Sequence, residues 1–295
     1  MNGPEKLTPT NPTAALVGIP LDMNSSFLRG SALAPPLIRK ALHSYSSNLC
    51  AESGLDLAAN SRWADLGDLP LGDGPEAIGQ IEREISAFLE SGYRLLSLGG
   101  DHSISYPLIK AAAGKYAGLN VLHFDAHPDL YHDFEGNKFS HASPFARIME
   151  EGRVRQLVQV GIRTSNPHQR EQAERFKVRT IEMRDWRPGL SLDLDFEGPL
   201  YISLDLDALD PAFAPGVSHH EPGGLSVRDV LGIIQNVSGT VVGADIVEYN
   251  PARDINALTA MVAAKFCKEL LARIIGDALL NPQIAFIEGN VLFRD

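Results

Sequence analysis

The chain has little of what a disulfide scaffold, a membrane protein or a nucleic-acid binder requires. Only two of its 295 residues are cysteines, Cys50 and Cys267, and their spacing suggests no pair. That excludes a disulfide framework or a thiolate zinc cluster and fits a reducing compartment. Positive charge is the minority sign. Lys and Arg number 26 against 37 Asp and Glu, a net charge of −11, which argues against a nucleic-acid-binding face. No apolar run reaches the roughly 20 residues that a spanning helix needs, so no membrane contact is expected. Residues 1–13 are polar, hold three prolines and lack the apolar stretch of a signal peptide. They are expected to be a mobile tail on a cytoplasmic protein. No repeat, low-complexity block or shift in composition divides the rest, so residues 14–295 are expected to form a single domain.

What the chain does have is a series of apolar strands with acidic ends. Val121, Leu122 and Phe124 read as a buried strand, and Asp125, His127 and Asp129 follow at every second position. An extended chain turns alternate side chains to one side, so three potential ligands converge where the strand stops. Residues 200–207 end in the same way on Asp205 and Asp207. Residues 95–103 run through Gly99 and Gly100 to His102. In an open parallel sheet the strand ends are where active sites form. Four carboxylates gathered there would repel and would not all stay ionised without cations. Two divalent ions balance four negative charges, and oxygen-rich ligation with some imidazole suits Mn²⁺ better than a structural zinc site. Any one of these pieces is commonly just a turn or a helix cap; three in one chain point to a metal site.

Around this centre the pattern predicts alternating strands and helices. Strands are expected at residues 14–21, 63–66, 94–98, 155–162, 178–183, 240–247 and 283–287. Helices are expected at 35–42, 76–91, 103–116, 226–237 and 259–275, the last closed by Gly276. Near-continuous apolar strands indicate a parallel sheet covered on both faces. Glu248 ends a strand, where a carboxylate could hold a guanidinium by paired hydrogen bonds, although pairing with Arg253 is the plainer alternative. His141 lies in the loop after the central strand, where it could shuttle protons or simply be a surface residue. His123 lies deeper in its strand and reads as a hydrogen-bonded core histidine.

Four motifs now stand together: Gly99-Gly-Asp-His-Ser103, Asp125-Ala-His-Pro-Asp129, Ser203-Leu-Asp-Leu-Asp-Ala-Leu-Asp-Pro211 and Val247-Glu-Tyr-Asn-Pro251. In this order they resemble the ureohydrolases, that is arginase, agmatinase and relatives. The segments at 134–143 and 213–225 look closest to the plant-type arginases. The resemblance implies a three-layer α/β/α fold with a central parallel sheet. It implies two Mn²⁺ per subunit held by His102, Asp125, His127, Asp129, Asp205 and Asp207, with Asp125, Asp129 and Asp205 bridging. A metal-bridging hydroxide would attack the guanidinium carbon of L-arginine, giving L-ornithine and urea. Glu248 matches the residue that positions the guanidinium, and His141 matches the proton shuttle. A homotrimer or homohexamer acting on a small cationic guanidino substrate is implied as well. The loop before His141 departs from animal-type arginases. It holds Tyr131, Phe134, Glu135 and Phe139, which leaves Asn137 as the candidate carboxylate donor and agmatine, or another guanidino compound, as an alternative substrate. A non-catalytic arginine-binding homologue would lack a ligand or the shuttle, and a zinc deacetylase would have fewer carboxylates and one metal.

Overall fold

Alternation along the strands decides the layers. In β4 (Leu119–Phe124), Leu122 and Phe124 enter one apolar core while Leu119 and Val121 enter the other. Strands β1 (Ala14–Gly18) and β3 (Arg94–Leu98) divide their side chains in the same way. Both faces of the sheet are therefore buried, as parallel sheets require. The computed structural model describes residues 13–72, 74–187, 190 and 192–280. Almost all of the expected N-terminal tail and the expected strand at 283–287 lie outside them.

The other strands are β2 (Trp63–Asp68), β5 (Val154–Ile162), β6 (Arg179–Glu182), β7 (Pro199–Asp205) and β8 (Thr240–Val247). All eight form one parallel sheet in the order β2-β1-β3-β8-β7-β4-β5-β6. Helices α1 (Ala34–Leu42), α6 (Val227–Asn236) and α7 (Leu258–Leu280) supply the first core. Helices α2 (Ala77–Glu90), α3 (Ser105–Lys115) and α4 (Pro144–Glu150) supply the second. This is the three-layer α/β/α arrangement.

The chain passes from β3 to β4 by crossing over the positions that β7 and β8 later fill. Ligand crevices open at such reversals, beyond the carboxyl ends of the strands. Helix α6 begins with the expected capping box, Ser226 and Asp229 exchanging side-chain and main-chain hydrogen bonds. Two expectations differ. Helix α7 runs through Gly276 to Leu280, because buried Asp277 accepts the Val241 N–H and pairs with Arg273, tying the last turns to the sheet. Helices α4 and α5 (Pro167–Phe176) have no counterpart in the sequence reading. The seven residues of α4 are too few to show a period, and α5 carries almost no apolar residue. Among the described residues no helix is long and apolar enough to cross a membrane.

Candidate metal centre and active-site cleft

The four central strands, β3, β8, β7 and β4, each deliver part of one cluster from their carboxyl ends. His102 follows β3 through a 3-10 turn whose cap is the Asp101 carboxylate. Asp125 follows β4 directly, Asp205 is the last residue of β7, and Glu248 is the first residue after β8. Asp129 and Glu248 adopt left-handed backbone, with φ of 49° and 64°. Non-glycine residues seldom do so, and such strain is found where a site fixes a side chain.

His102 Nδ1 faces three carboxylate oxygens: Asp129 at 3.1 Å, Asp125 at 3.2 Å and Asp205 at 3.2 Å. It is fully buried, yet it has no hydrogen-bond partner. A nitrogen encircled by oxygens but bonded to none of them is the arrangement of ligands aimed at a common point. His127 Nδ1 lies 3.2 Å from Asp125 Oδ1 and 3.1 Å from Asp207 Oδ2, and these three residues make a second group able to hold an ion. Asp125 belongs to both groups, one oxygen turned to each.

Proximity alone would also place His123 with His102 and Asp125 in a metal group. Hydrogen bonding argues against that. His123 Nδ1 meets the Gln159 amide at 3.0 Å and Nε2 meets Asp125 Oδ2 at 2.9 Å, so both ring nitrogens are engaged. Burial lowers its pKa to about 4, despite the Asp125 contact. His123 is thus a neutral imidazole that orients Asp125, and it is the core histidine expected from its depth in the strand.

The cluster is electrostatically incomplete as polypeptide alone. Burial, then the charges of Asp207 and Asp125, hold the Asp205 carboxyl well above the usual range. Burial and the Asp125 charge push Asp129 up to about 6. Burial would lower His102 and His127, but the facing carboxylates hold both well above an ordinary histidine. Protonated rings thus occupy the role that cations would fill. Two divalent ions suit this donor set of imidazole nitrogens and carboxylate oxygens.

His141 and Glu248 form the second functional unit. His141 Nδ1 lies 2.8 Å from Glu248 Oε1, which also accepts the His102 main-chain N–H at 2.8 Å. Both of these bonds fall on one oxygen of the carboxylate. The alternative pairing of Glu248 with Arg253 does not form. His141 Nε2 faces Ser26, with the hydroxyl at 2.8 Å and the main-chain nitrogen at 3.2 Å. Ser26 stands on the loop after β1, which buried Asp101 grips through the Asn24 N–H and the Ser25 hydroxyl.

All of this opens into a cleft of about 200 Å³, lined by His127, Asp129, Asp205, Asp207, His141 and Glu248 together with His219, Ser26, Tyr131, Phe134, Thr164, Asn166 and Gln169. His219 packs its ring 5.7 Å from His127 and 5.3 Å from His141. Asn137 does not line the cleft. Its amide donates to Asn24 on the loop after β1 and accepts the Phe139 N–H. The uncharged polar groups that do line the wall include Thr164, Asn166 and Gln169, from the loop after β5 and the start of α5. The sequence reading missed them and Ser26, because each is an ordinary polar residue in a loop with no ligand spacing.

The family model described as "Arginase family" matches residues 12–272. Arginase 1, mitochondrial, of Arabidopsis thaliana is 50% identical over 278 residues, which is 89% of this chain and 81% of that protein. The agmatinase of Bacillus anthracis is 33% identical over 265 residues, 87% of this chain and 90% of that one. The solved arginase of Medicago truncatula superposes with a TM-score of 0.84 at 46% identity, covering 90% of this chain and 89% of that one. Three plant relatives are named as mitochondrial, one of these as chloroplastic/mitochondrial. That overturns the expectation of a cytoplasmic protein, which rested on free thiols and the lack of a signal peptide. Neither of those features separates the cytoplasm from an organelle interior.

Proposed function

The chain belongs to the arginase family, and from that premise we propose that it hydrolyses L-arginine to L-ornithine and urea with two Mn²⁺ per subunit. The observation that supports this most strongly is the bare His102 nitrogen ringed by three carboxylate oxygens at 3.1–3.2 Å. His102, Asp125, Asp129 and Asp205 would hold one ion. His127, Asp207 and the remaining oxygen of Asp125 would hold the other. When bound, such ions lower the pKa of water toward neutrality and supply a nucleophile at working pH.

The rest of the reaction falls to the chain's own side chains. Glu248 is buried, and Oε1 is taken by His102 and His141, which leaves Oε2 for the substrate guanidinium. A charge-assisted bond there turns the guanidinium carbon toward the metal cluster. The bond that breaks joins this carbon to the chain nitrogen, and that nitrogen must gain a proton to leave as an amine. His141 is the titratable group at the cleft placed to move it, held on one side by Glu248 and on the other by Ser26.

The wall favours arginine over agmatine. Agmatine ends in an ammonium, which calls for a carboxylate beyond the cluster. Arginine ends in a zwitterion, which neutral donors and acceptors such as Tyr131, Thr164, Asn166 and Gln169 can satisfy. The bond assignment is tested with L-arginine labelled with ¹³C at the guanidinium carbon. Labelled urea with unlabelled ornithine is expected. Labelled citrulline with ammonia would contradict the reading.

A further inference from the structure

Beneath the metal cluster, the two central strands place three buried polar side chains side by side. Ser203 on β7 lies in register with Asp245 on β8, and Tyr201 lies two residues before Ser203 on the same strand face. Ser203 and Asp245 are fully buried, and neither is among the ligands. No cation neutralises Asp245 through a hydrogen bond or ion pair among those described. It accepts the Ser203 hydroxyl on Oδ1 at 2.7 Å and the Tyr201 hydroxyl on Oδ2 at 2.9 Å. The Ser203 oxygen in turn lies 3.1 Å from His102 Nε2.

With Asp245 ionised, and so acceptor-only toward Ser203 and Tyr201, the direction of these bonds is set. A serine hydroxyl has one proton. Ser203 gives its proton to Asp245, so toward His102 it can only accept. His102 Nε2 must then carry a hydrogen, and in a neutral ring Nδ1 is left with a lone pair. That lone pair is the one facing Asp125, Asp129 and Asp205.

We propose that Ser203 and Asp245 are positioning residues for the metal centre, a buried relay that fixes the tautomer and ring orientation of His102 and so sets the affinity of one of the two ion sites. This rests on the reading of the cluster as a two-ion centre. Groups behind a ligating histidine commonly raise metal affinity by 10- to 100-fold. The consequence here is selective, because the second group, His127 with Asp125 and Asp207, has no bond to Ser203 or Asp245.

The test is a titration of metal-free protein with Mn²⁺ alone, following the free ion by electron paramagnetic resonance. The unaltered chain is expected to take up two ions. In Ser203→Ala one site should weaken by about 10- to 100-fold while the other keeps its affinity. Asp245→Asn should act on the same site in the same direction. It carries the comparison by itself should Ser203→Ala fail to fold by circular dichroism. Retention of both affinities within about twofold, or an equal fall at both sites, would overturn the relay. An unaltered chain that binds no ion pair would instead defeat the reading of the cluster itself.

Discussion

His141 is subject to opposed demands. Burial favours the neutral ring, yet Glu248, Asp101 and Asp129 attract the proton and raise its pKa to about 9. Against this, the Ser26 main-chain N–H points at Nε2, which requires a lone pair there. The two fit different states. Without cations the imidazolium prevails; with divalent charge beside Asp129 the attraction is cancelled and the Ser26 geometry holds. In metal-free protein, then, His141 should titrate near pH 9 by NMR, and a diamagnetic divalent ion should bring that midpoint down. A raised pKa also means that the His141–Glu248 pair stabilises the metal-free fold fully below the unfolded histidine value of about 6.5 and loses that contribution as pH climbs through 9. Glu248 is a sharper probe of substrate binding. Glu248→Gln keeps an acceptor but removes the charge, and a hydrogen bond to a charged group contributes about 1.5–3 kcal/mol. The expected loss in kcat/KM is therefore roughly 10- to 150-fold. Steady-state rates on arginine measure it, and a loss below about threefold would place the guanidinium elsewhere.

Strand ends are held by more than their own hydrogen bonds. Arg163, just past β5, spreads its guanidinium over the carbonyls of Gly161, Asp207, Ala208, Leu209 and Glu221. It fastens the Asp205–Asp207 turn and the Pro/Gly-rich loop behind it to the end of β5, across the intervening β4. Arg163→Ala would strand several carbonyls at a cost of about 3 kcal/mol, read as a fall in Tm of roughly 6–12 °C. An unchanged Tm would show that water replaces the guanidinium. Such long-range ties left no mark in the sequence, whereas local signals did. Strand β8 was legible at its observed bounds from its apolar run, α2 from Ile78, Ile81, Ile85 and Leu89 on one face, and the start of α6 from Ser226 and Asp229. The spacing of Asp125, His127, Asp129, Asp205 and Asp207 marked the right segments, but not through an extended chain: β4 stops at Phe124, Asp129 is left-handed and Asp207 sits in a 3-10 turn. The partners that complete the site, Ser26 on His141 and Gln159 on His123, are made by packing between segments 115 and 36 residues apart. Asn137, singled out from its place in the loop, bonds Asn24 and the Phe139 N–H, partners that its position did not reveal.

The whole molecule is organised so that its least stable electrostatic feature lies at the reversal of strand order. Asp129, Asp205, Asp207 and Glu248 face one crevice in a chain of net charge −11. Bound cations should therefore stabilise the fold as well as complete the chemistry. An ion present at a thousandfold excess over its Kd adds about 4 kcal/mol per site. Protein stripped of metal by a chelator should melt several degrees lower, and Mn²⁺ should restore the transition; Tm values insensitive to metal would contradict a loaded cluster. The most direct measurement is urea release from L-arginine and agmatine side by side, by the metal-stripped chain before and after Mn²⁺ is added. The expected result is no urea before addition, and afterwards turnover of arginine well above agmatine. Turnover without Mn²⁺ would contradict the metal centre. Agmatine as the better substrate would contradict the reading of the neutral wall, and no urea from either would contradict the proposed reaction.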